Sequence, residues 1–283
     1  MICKPEWVFA FGIAILPACA ASQPRPAGTS APEKPDEVIE TSQSGQAGQA
    51  SVVPLDHVRN IVLVHGAFVD GSGWKPVYEI LLHRGYNVDV VQEPLTSLEN
   101  DVAAVKRVLD LAPGPRILVA HSYGGTVITQ AGDDPRVAGL VYIAAHEPDT
   151  GETEAANAKR MPGAGKPPLK TRDGFLYLDP AAFPHEFAAD LPREQAEFEA
   201  RSQMLTAASV FTTRVTAAAW KVKPSWALVA GGDRIINPNL ERMYAERAHS
   251  QVVEVPGASH SVYESHPVEV VALIEEAARA AAK

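Results

Sequence analysis

Residues 116–130 read RILVAHSYGGTVITQ. An apolar, β-branched run of strand length stops at Ser122, and a second apolar stretch begins beyond Gly124 and Gly125. A serine set between a buried strand and a helix, with small residues crowding it, marks a sharp strand-to-helix turn. Such a turn strains the backbone, lifts the hydroxyl above the sheet and tolerates only small neighbours. The pattern for such an elbow is G-x-S-x-G, and this chain has Ala120-His121-Ser122-Tyr123-Gly124, with alanine at the first glycine. The following helix aims its N-terminal dipole at Ser122, where negative charge develops if the hydroxyl attacks an acyl group.

The alternation around Ser122 recurs along the chain. The runs IVLV (61–64), YNVDVVQ (86–92), RILVA (116–120), VAGLVYIAA (137–145), WALVAG (226–231) and QVVEV (251–255) have strand length and composition. Segments with apolar residues at helical spacing separate them, as in LENDVAAVKRVLDLA (98–112). Strands alternating with helices predict right-handed crossovers and a sheet covered on both faces. The expected class is α/β, a three-layer domain over residues 56–283 with a mostly parallel sheet of about six strands. Between about residues 149 and 223 the alternation breaks into prolines, an Ala/Glu-rich segment and scattered aromatics. That region reads as a mostly helical cap insertion without a strand of convincing length, and MPGAGKPPLK (161–170) reads as a mobile loop.

Charge and composition exclude some function classes. The 283-residue chain carries a net charge of −9 with its acidic residues spread out. It therefore offers no basic stripe to neutralise phosphates, which argues against a nucleic-acid partner. No H-E-x-x-H pattern provides metal ligands, and GAFVDGSG (66–73) lacks dinucleotide-loop spacing, so neither metal nor cofactor is expected.

At the N-terminus, Lys4 precedes an apolar run from Trp7 to Leu16 and then small residues. Residues 1–20 read as an export signal. Leu16-Pro17-Ala18-Cys19 resembles the lipobox of bacterial lipoproteins, in which the cysteine is lipidated, while Ala18-Cys19-Ala20 also fits ordinary small-x-small cleavage. The lipoprotein reading is preferred, with Cys19 as the lipidated residue and the periplasm or outer membrane as the location; ordinary cleavage implies secretion. Cys3 and Cys19 are the only cysteines, so no disulfide is expected in the mature domain. Residues 21–55, rich in Pro, Ser, Gly, Gln and Ala, read as a disordered tether that would let the domain stand off from a membrane.

Five stretches together resemble the α/β-hydrolase superfamily, in particular its compact branch of plant methylesterases, hydroxynitrile lyases and small bacterial serine esterases. They are VLVHGAFVDGSGW (62–74), VAHSYGG (119–125), LVYIAAHEPD (140–149), GGDRIINP (231–238) and PGASHSVYESHP (256–267). A serine hydroxyl is a weak nucleophile that needs a base and a carboxylate orienting it, and the superfamily's chain order is Ser, acid, His. That resemblance implies Ser122 as nucleophile, His260 as general base and acid, and Asp233 as the orienting carboxylate, the last two each following a strand. The competing acids are Glu147 and Asp149; the competing base, His266, precedes Pro267 and reads as a helix cap. His65-Gly66-Ala67 resembles the oxyanion loop, which implies the main-chain N–H groups of Ala67 and Tyr123 as its two donors. Phe68 and Tyr123 are the expected pocket aromatics, with others from the cap. His65 and His121 read as structural, and His146, His185 and His249 as structural or solvated.

The implied activity is hydrolysis of small carboxylic esters through an acyl-enzyme, with lactones and amides as neighbouring chemistries. Hydroxynitrile lyases carry a lysine after the histidine, where this chain has Ser261. Superfamily members with an aspartate nucleophile are disfavoured by Ser122. A non-catalytic envelope binding protein on the same fold is the alternative from another class, and it predicts a broken triad.

Overall fold

The computed structural model describes residues 57–111 and 114–282. The export signal, Cys19 and the whole of the tether lie outside the described residues. The chain runs β1 (Asn60–Val64), α1 (Lys75–His83), β2 (Asn87–Val91), α2 (Leu98–Leu109), β3 (Arg116–Ser122), α3 (Gly124–Ala131) and β4 (Val137–Ala145). The cap follows with α4 (Glu154–Arg160), β5 (Leu169–Lys170), β6 (Phe175–Tyr177), α5 (Phe183–Glu186), α6 (Arg193–Glu199), β7 (Thr206–Ala207) and α7 (Ser209–Thr212). The core then resumes with β8 (Ser225–Ala230), α8 (Pro238–Ala248), β9 (Gln251–Val255), α9 (Val262–Ser265) and α10 (Pro267–Ala280).

Six parallel strands form one sheet in the order β2-β1-β3-β4-β8-β9. The central strands are buried along nearly their whole length and predominantly apolar because both of their faces are covered. In β1, Ile61 and Leu63 join a cluster with Val77 and Leu81 of α1 and with Val271 and Ile274 of α10. The alternate residues Val62 and Val64 join Val102 and Val105 of α2, Val127 and Ile128 of α3, and cap residues such as Phe183 and Phe187. Successive side chains of a strand point to opposite faces, so one pentapeptide serves both layers. Edge strand β9 differs: Val252 is 49% and Val253 39% exposed.

Helix boundaries follow local chemistry. Ser97 caps α2 by accepting from the Asn100 N–H, with Glu99 and Asp101 in the first turn and Lys106 and Arg107 in the last. Asn237 caps α8, which ends at His249 in the left-handed region at φ 55°. His266 stands at the start of α10 but makes no side-chain cap; its Nδ1 instead bonds to Ser265 Oγ at 2.8 Å. Pro267 accounts for the start, since its fixed φ suits a first helical position.

The cap departs from the sequence-based expectation in one respect. Strands β5, β6 and β7, two or three residues each, form a small antiparallel sheet among the helices. Runs this short carry no periodicity to read, and contact with the core positions them. Thr206 Oγ1 accepts from Phe68 N–H at 3.1 Å, Met204 N–H donates to Phe68 O at 3.1 Å, and Ala207 N–H donates to Leu95 O at 2.8 Å.

Two substitutions test this layering. Leu63→Ala removes a fully buried side chain packed against α1 and α10 and is expected to cost about 2–5 kcal/mol in urea unfolding. Val252→Thr, on the exposed edge, is expected to stay within about 0.5 kcal/mol of the parent chain. Equal losses would contradict the placement of β1 at the centre and β9 at the rim.

Candidate active site

Strands β1, β3, β4 and β8 deliver their C-terminal ends to one place. Ser122 sits there at φ 54°, a left-handed conformation that costs a non-glycine residue energy and persists only where packing enforces it. The surroundings leave no slack. A Cβ on Gly66 would lie 2.7 Å from Ser122 Cβ, one on Gly124 would lie 2.4 Å from His65 O, and one on Gly125 2.1 Å from His146 O. The main chains of the β1 loop, the elbow and the end of β4 therefore touch directly. The His146 N–H donates to Ser122 O at 3.1 Å, across a register shift between β3 and β4.

Ser122, His260 and Asp233 come together in a hydrogen-bonded row. Ser122 Oγ is 2.8 Å from His260 Nε2, and His260 Nδ1 is 2.5 Å from Asp233 Oδ2. Because the carboxylate can only accept, Nδ1 carries the proton and Nε2 is left to accept from the serine. The other carboxylate oxygen of Asp233 accepts from the main-chain N–H groups of Ile235 (2.7 Å) and Ile236 (2.9 Å). His260 is fully buried and is held on two further sides. Its carbonyl accepts from His121 Nε2 at 2.9 Å, and the Phe187 ring meets it edge-on at 4.6 Å between centroids.

The alternative acids and base face elsewhere. Asp149 pairs with Lys221. Glu147 is buried, its carbonyl accepts from Arg247 at 2.7 Å, and burial pushes its carboxyl well above the usual range. His266 lies 3.8 Å from Asp190. His185 is exposed beside Glu186.

His65 shapes the β1 loop. Its Nδ1 donates to Gly66 O at 2.9 Å and its Nε2 accepts from Glu93 N–H at 2.9 Å, a pattern only the neutral ring satisfies; burial lowers its pKa accordingly. His121 is also buried with its pKa well lowered by burial, its ring 4.2 Å from that of Tyr263 between centroids. Ala67, next along the loop, is held by the clasp of Phe68 on Met204 and Thr206; Phe68 itself takes φ 69°.

Beside Ser122 opens a pocket of about 570 Å3, walled mainly by apolar groups that include Ala67, Phe68, Leu176, Leu178, Phe211 and Ile235. Phe68 lines it and stacks on Phe211 at 5.9 Å. Tyr123 does not take the pocket position expected of it: it is fully buried, and its hydroxyl donates to Asp101 Oδ2 at 2.8 Å. The residue after an elbow serine turns into the first turn of the helix, so its ring packs below the site. Residues 162–168 form part of the wall, and their placement depends on glycine. A Cβ on Gly163 would lie 2.3 Å from Ile235 O, and Gly165 N–H donates to Arg234 O at 2.6 Å.

Two polar residues of this wall carry no catalytic motif: the sequence alone reads His146 as structural or solvated and does not single out Glu154. His146, at the end of β4, and Glu154, the first residue of α4, both line the pocket. Burial pushes the Glu154 carboxyl up to about 8 and the His146 ring down to about 3, so both are neutral near pH 7. Glu154 holds its proton in the folded state between its ordinary value of 4.5 and about 8, whereas the unfolded chain has released it. Its contribution is thus fully present below pH 4.5 and lost as the pH rises toward 8. The melting temperature of Glu154→Gln minus that of the parent is expected to become more positive from pH 5 to pH 8. A constant difference would mean that Glu154 titrates normally.

The model of the alpha/beta hydrolase family matches residues 61–273. A probable hydrolase of Phoma sp. is 28% identical over 149 residues, covering 46% of this chain and 59% of its own. The pyrethroid hydrolase of Sphingobium wenxiniae is 32% identical over 101 residues, covering 31% of this chain and 36% of its own. This chain thus matches less than two thirds of either curated relative. Among solved structures, a pyrethroid hydrolase from Sphingobium faniae superposes with a TM-score of 0.67 at 24% identity, covering 79% of this chain and 98% of that one. A methylesterase from Arabidopsis gives 0.64 at 20% identity, covering 78% and 98%. Both structural likenesses speak to the fold. With its family model spanning β1 to α10 and six parallel strands in place, the chain belongs to the alpha/beta hydrolase family.

Proposed function

We propose that this protein is a serine hydrolase that cleaves small carboxylic esters through an acyl-enzyme on Ser122. The observation carrying this reading is the row Ser122–His260–Asp233, with spacings of 2.8 and 2.5 Å, opening on a largely apolar pocket. A base within hydrogen-bond reach of the hydroxyl and a carboxylate orienting that base are what a serine needs to become a nucleophile. The pyrethroid hydrolase and methylesterase to which the chain is similar agree with ester chemistry.

In the reaction, Ser122 Oγ attacks the ester carbonyl as its proton passes to His260 Nε2. The developing oxyanion takes hydrogen bonds from the Ala67 and Tyr123 main-chain N–H groups, the latter at the start of α3 where the helix dipole adds to the field. Collapse breaks the bond to the alcohol oxygen, which receives the proton from His260. A water molecule then gives its proton to His260 and attacks the acyl carbon, and the returning proton restores Ser122 as the acid leaves. Asp233 keeps the imidazole in the tautomer with Nδ1–H and stabilises its transient positive charge. Two main-chain N–H bonds to Oδ1 hold that carboxylate in place against the imidazole.

The N-terminal reading gives this enzyme a place: the protein is exported and held at a membrane through lipidated Cys19, the tether separating domain from lipid. Mass spectrometry of the mature chain that finds an unmodified N-terminus after residue 20 would leave it a secreted enzyme.

On p-nitrophenyl esters of graded acyl length, Ser122→Ala and His260→Ala are expected to lower kcat by at least about 1000-fold, with circular dichroism unchanged. Asp233→Asn is expected to lose about 100- to 10,000-fold. Glu147→Gln and Asp149→Asn, whose side chains do not meet His260, are expected to stay within about tenfold. Full activity in Ser122→Ala would remove the acyl-enzyme reading.

A further inference from the structure

Within the apolar pocket, one side chain is built to present a hydrogen bond. Glu154 is 3% exposed, and its two oxygens are treated differently. Oε1 accepts from the Thr126 hydroxyl in the first turn of α3, which fixes the rotation of the carboxyl group. Oε2 is buried and has no hydrogen-bond partner among the described residues; His146 Nε2 lies 3.5 Å from it. On its far side the His146 ring meets Tyr244 Oη at 3.4 Å. A carboxyl group sunk in an apolar wall costs desolvation that a leucine in the same place would not. Other buried carboxyls here also keep an unpaired oxygen, but Glu154 is the one that lines the pocket beside Ser122, where a ligand can complete it. Both residues line the cavity that Ser122 opens into. Neither belongs to the row Ser122–His260–Asp233, so the reaction chemistry leaves them unexplained.

We propose that Glu154, steadied by Thr126 and flanked by His146, is the polar anchor of the pocket and selects esters that carry a second hydrogen-bond-accepting oxygen, an ether or carbonyl. The inference rests on the reading of this pocket as the ester site. The neutral carboxyl supplies an O–H donor from Oε2, and burial, which favours the neutral form, is also what makes the bond strong. An ester with only hydrocarbon around its reacting group leaves that donor unpaired, whereas one with a correctly placed oxygen satisfies it. Sites built to hydrogen-bond a substrate group discriminate against analogues lacking it, because the unpaired protein group bears the penalty. Glu154 is a specificity determinant in this scheme and takes no proton in the reaction.

The test uses isosteric esters and the full chain. On the acyl side, p-nitrophenyl hexanoate is compared with the 3-ethoxypropanoate and 4-methoxybutanoate esters; on the alcohol side, butyl acetate is compared with 2-methoxyethyl acetate by pH-stat. Each kcat/KM is divided by the rate of alkaline hydrolysis of the same ester, which removes inductive activation. The parent is expected to favour at least one ether ester over its hydrocarbon isostere by about tenfold, chiefly through KM. In Glu154→Leu that ratio is expected to fall to about one, and in Glu154→Gln, whose amide still donates, to stay within about threefold of the parent. If Glu154→Leu does not fold, Glu154→Asp, which withdraws the carboxyl by one methylene, should lose the ratio as well. A parent indifferent to every ether, or a ratio unchanged in Glu154→Leu and Glu154→Asp, overturns the anchor and leaves the esterase reading standing. If the parent turns over none of these esters, the esterase reading fails and the anchor falls with it.

Discussion

Main chain against main chain, with no room for a side chain between, is the constraint on which the site depends. Gly66, Gly124 and Gly125 let the β1 loop, the elbow and the end of β4 approach to distances at which any Cβ would collide with a carbonyl or with Ser122 itself. This contact holds Ser122 in its left-handed conformation and ties the loop carrying Ala67 to the serine it faces. A flexible loop would have to be ordered at each encounter with substrate. Here that ordering is built into the fold, as electrostatic preorganisation requires.

The cap extends the same logic outward. Its fragments β6, β7 and α7 would not persist alone, but β7 and Met204 dock on the main chain at Phe68 and Leu95. Asp101 completes the brace. Its two oxygens accept from Leu95 N–H and from the Tyr123 hydroxyl, linking the loop after β2 to the residue following the serine. Pocket wall, β1 loop and elbow are thus cross-connected, and the fully buried cap aromatics Phe183 and Phe187 pack into the same cluster as Val62 and Val64 of β1.

Buried carboxyls give the domain a second character. Burial raises Glu93, Glu147, Glu154 and Glu241 above the usual carboxylate range. Between cap and core, Glu264 of α9 is pushed up to about 9 by burial and by Glu199 of α6, and both accept from Gln195. Burial favours the neutral form of each, and Glu93, Glu147, Glu154, Glu199 and Glu241 all keep a buried oxygen without a hydrogen-bond partner among the described residues; of these, Glu154 is the one that lines the pocket beside Ser122.

The six-stranded parallel sheet, its helices, the elbow and the strand-end positions of Asp233 and His260 were all legible in one dimension. Each is a local pattern: β-branched runs at strand length, helical spacing between them, and glycine where backbone must approach backbone. Parallel strands bring their C-terminal ends to one edge, so motifs distant in sequence converge there without further information. What could not be read locally is what depends on long-range contact. The strands of the cap are too short to show a period; they pair with one another, and β7 docks on the core. Tyr123 reads as a pocket aromatic, but the turn that presents Ser122 directs its ring down toward Asp101. His146 and Glu154 belong to no motif. They meet because the fold brings Glu154, at the start of α4, to within 3.5 Å of His146, at the end of β4, and buries both, and that environment is a property of the tertiary structure alone.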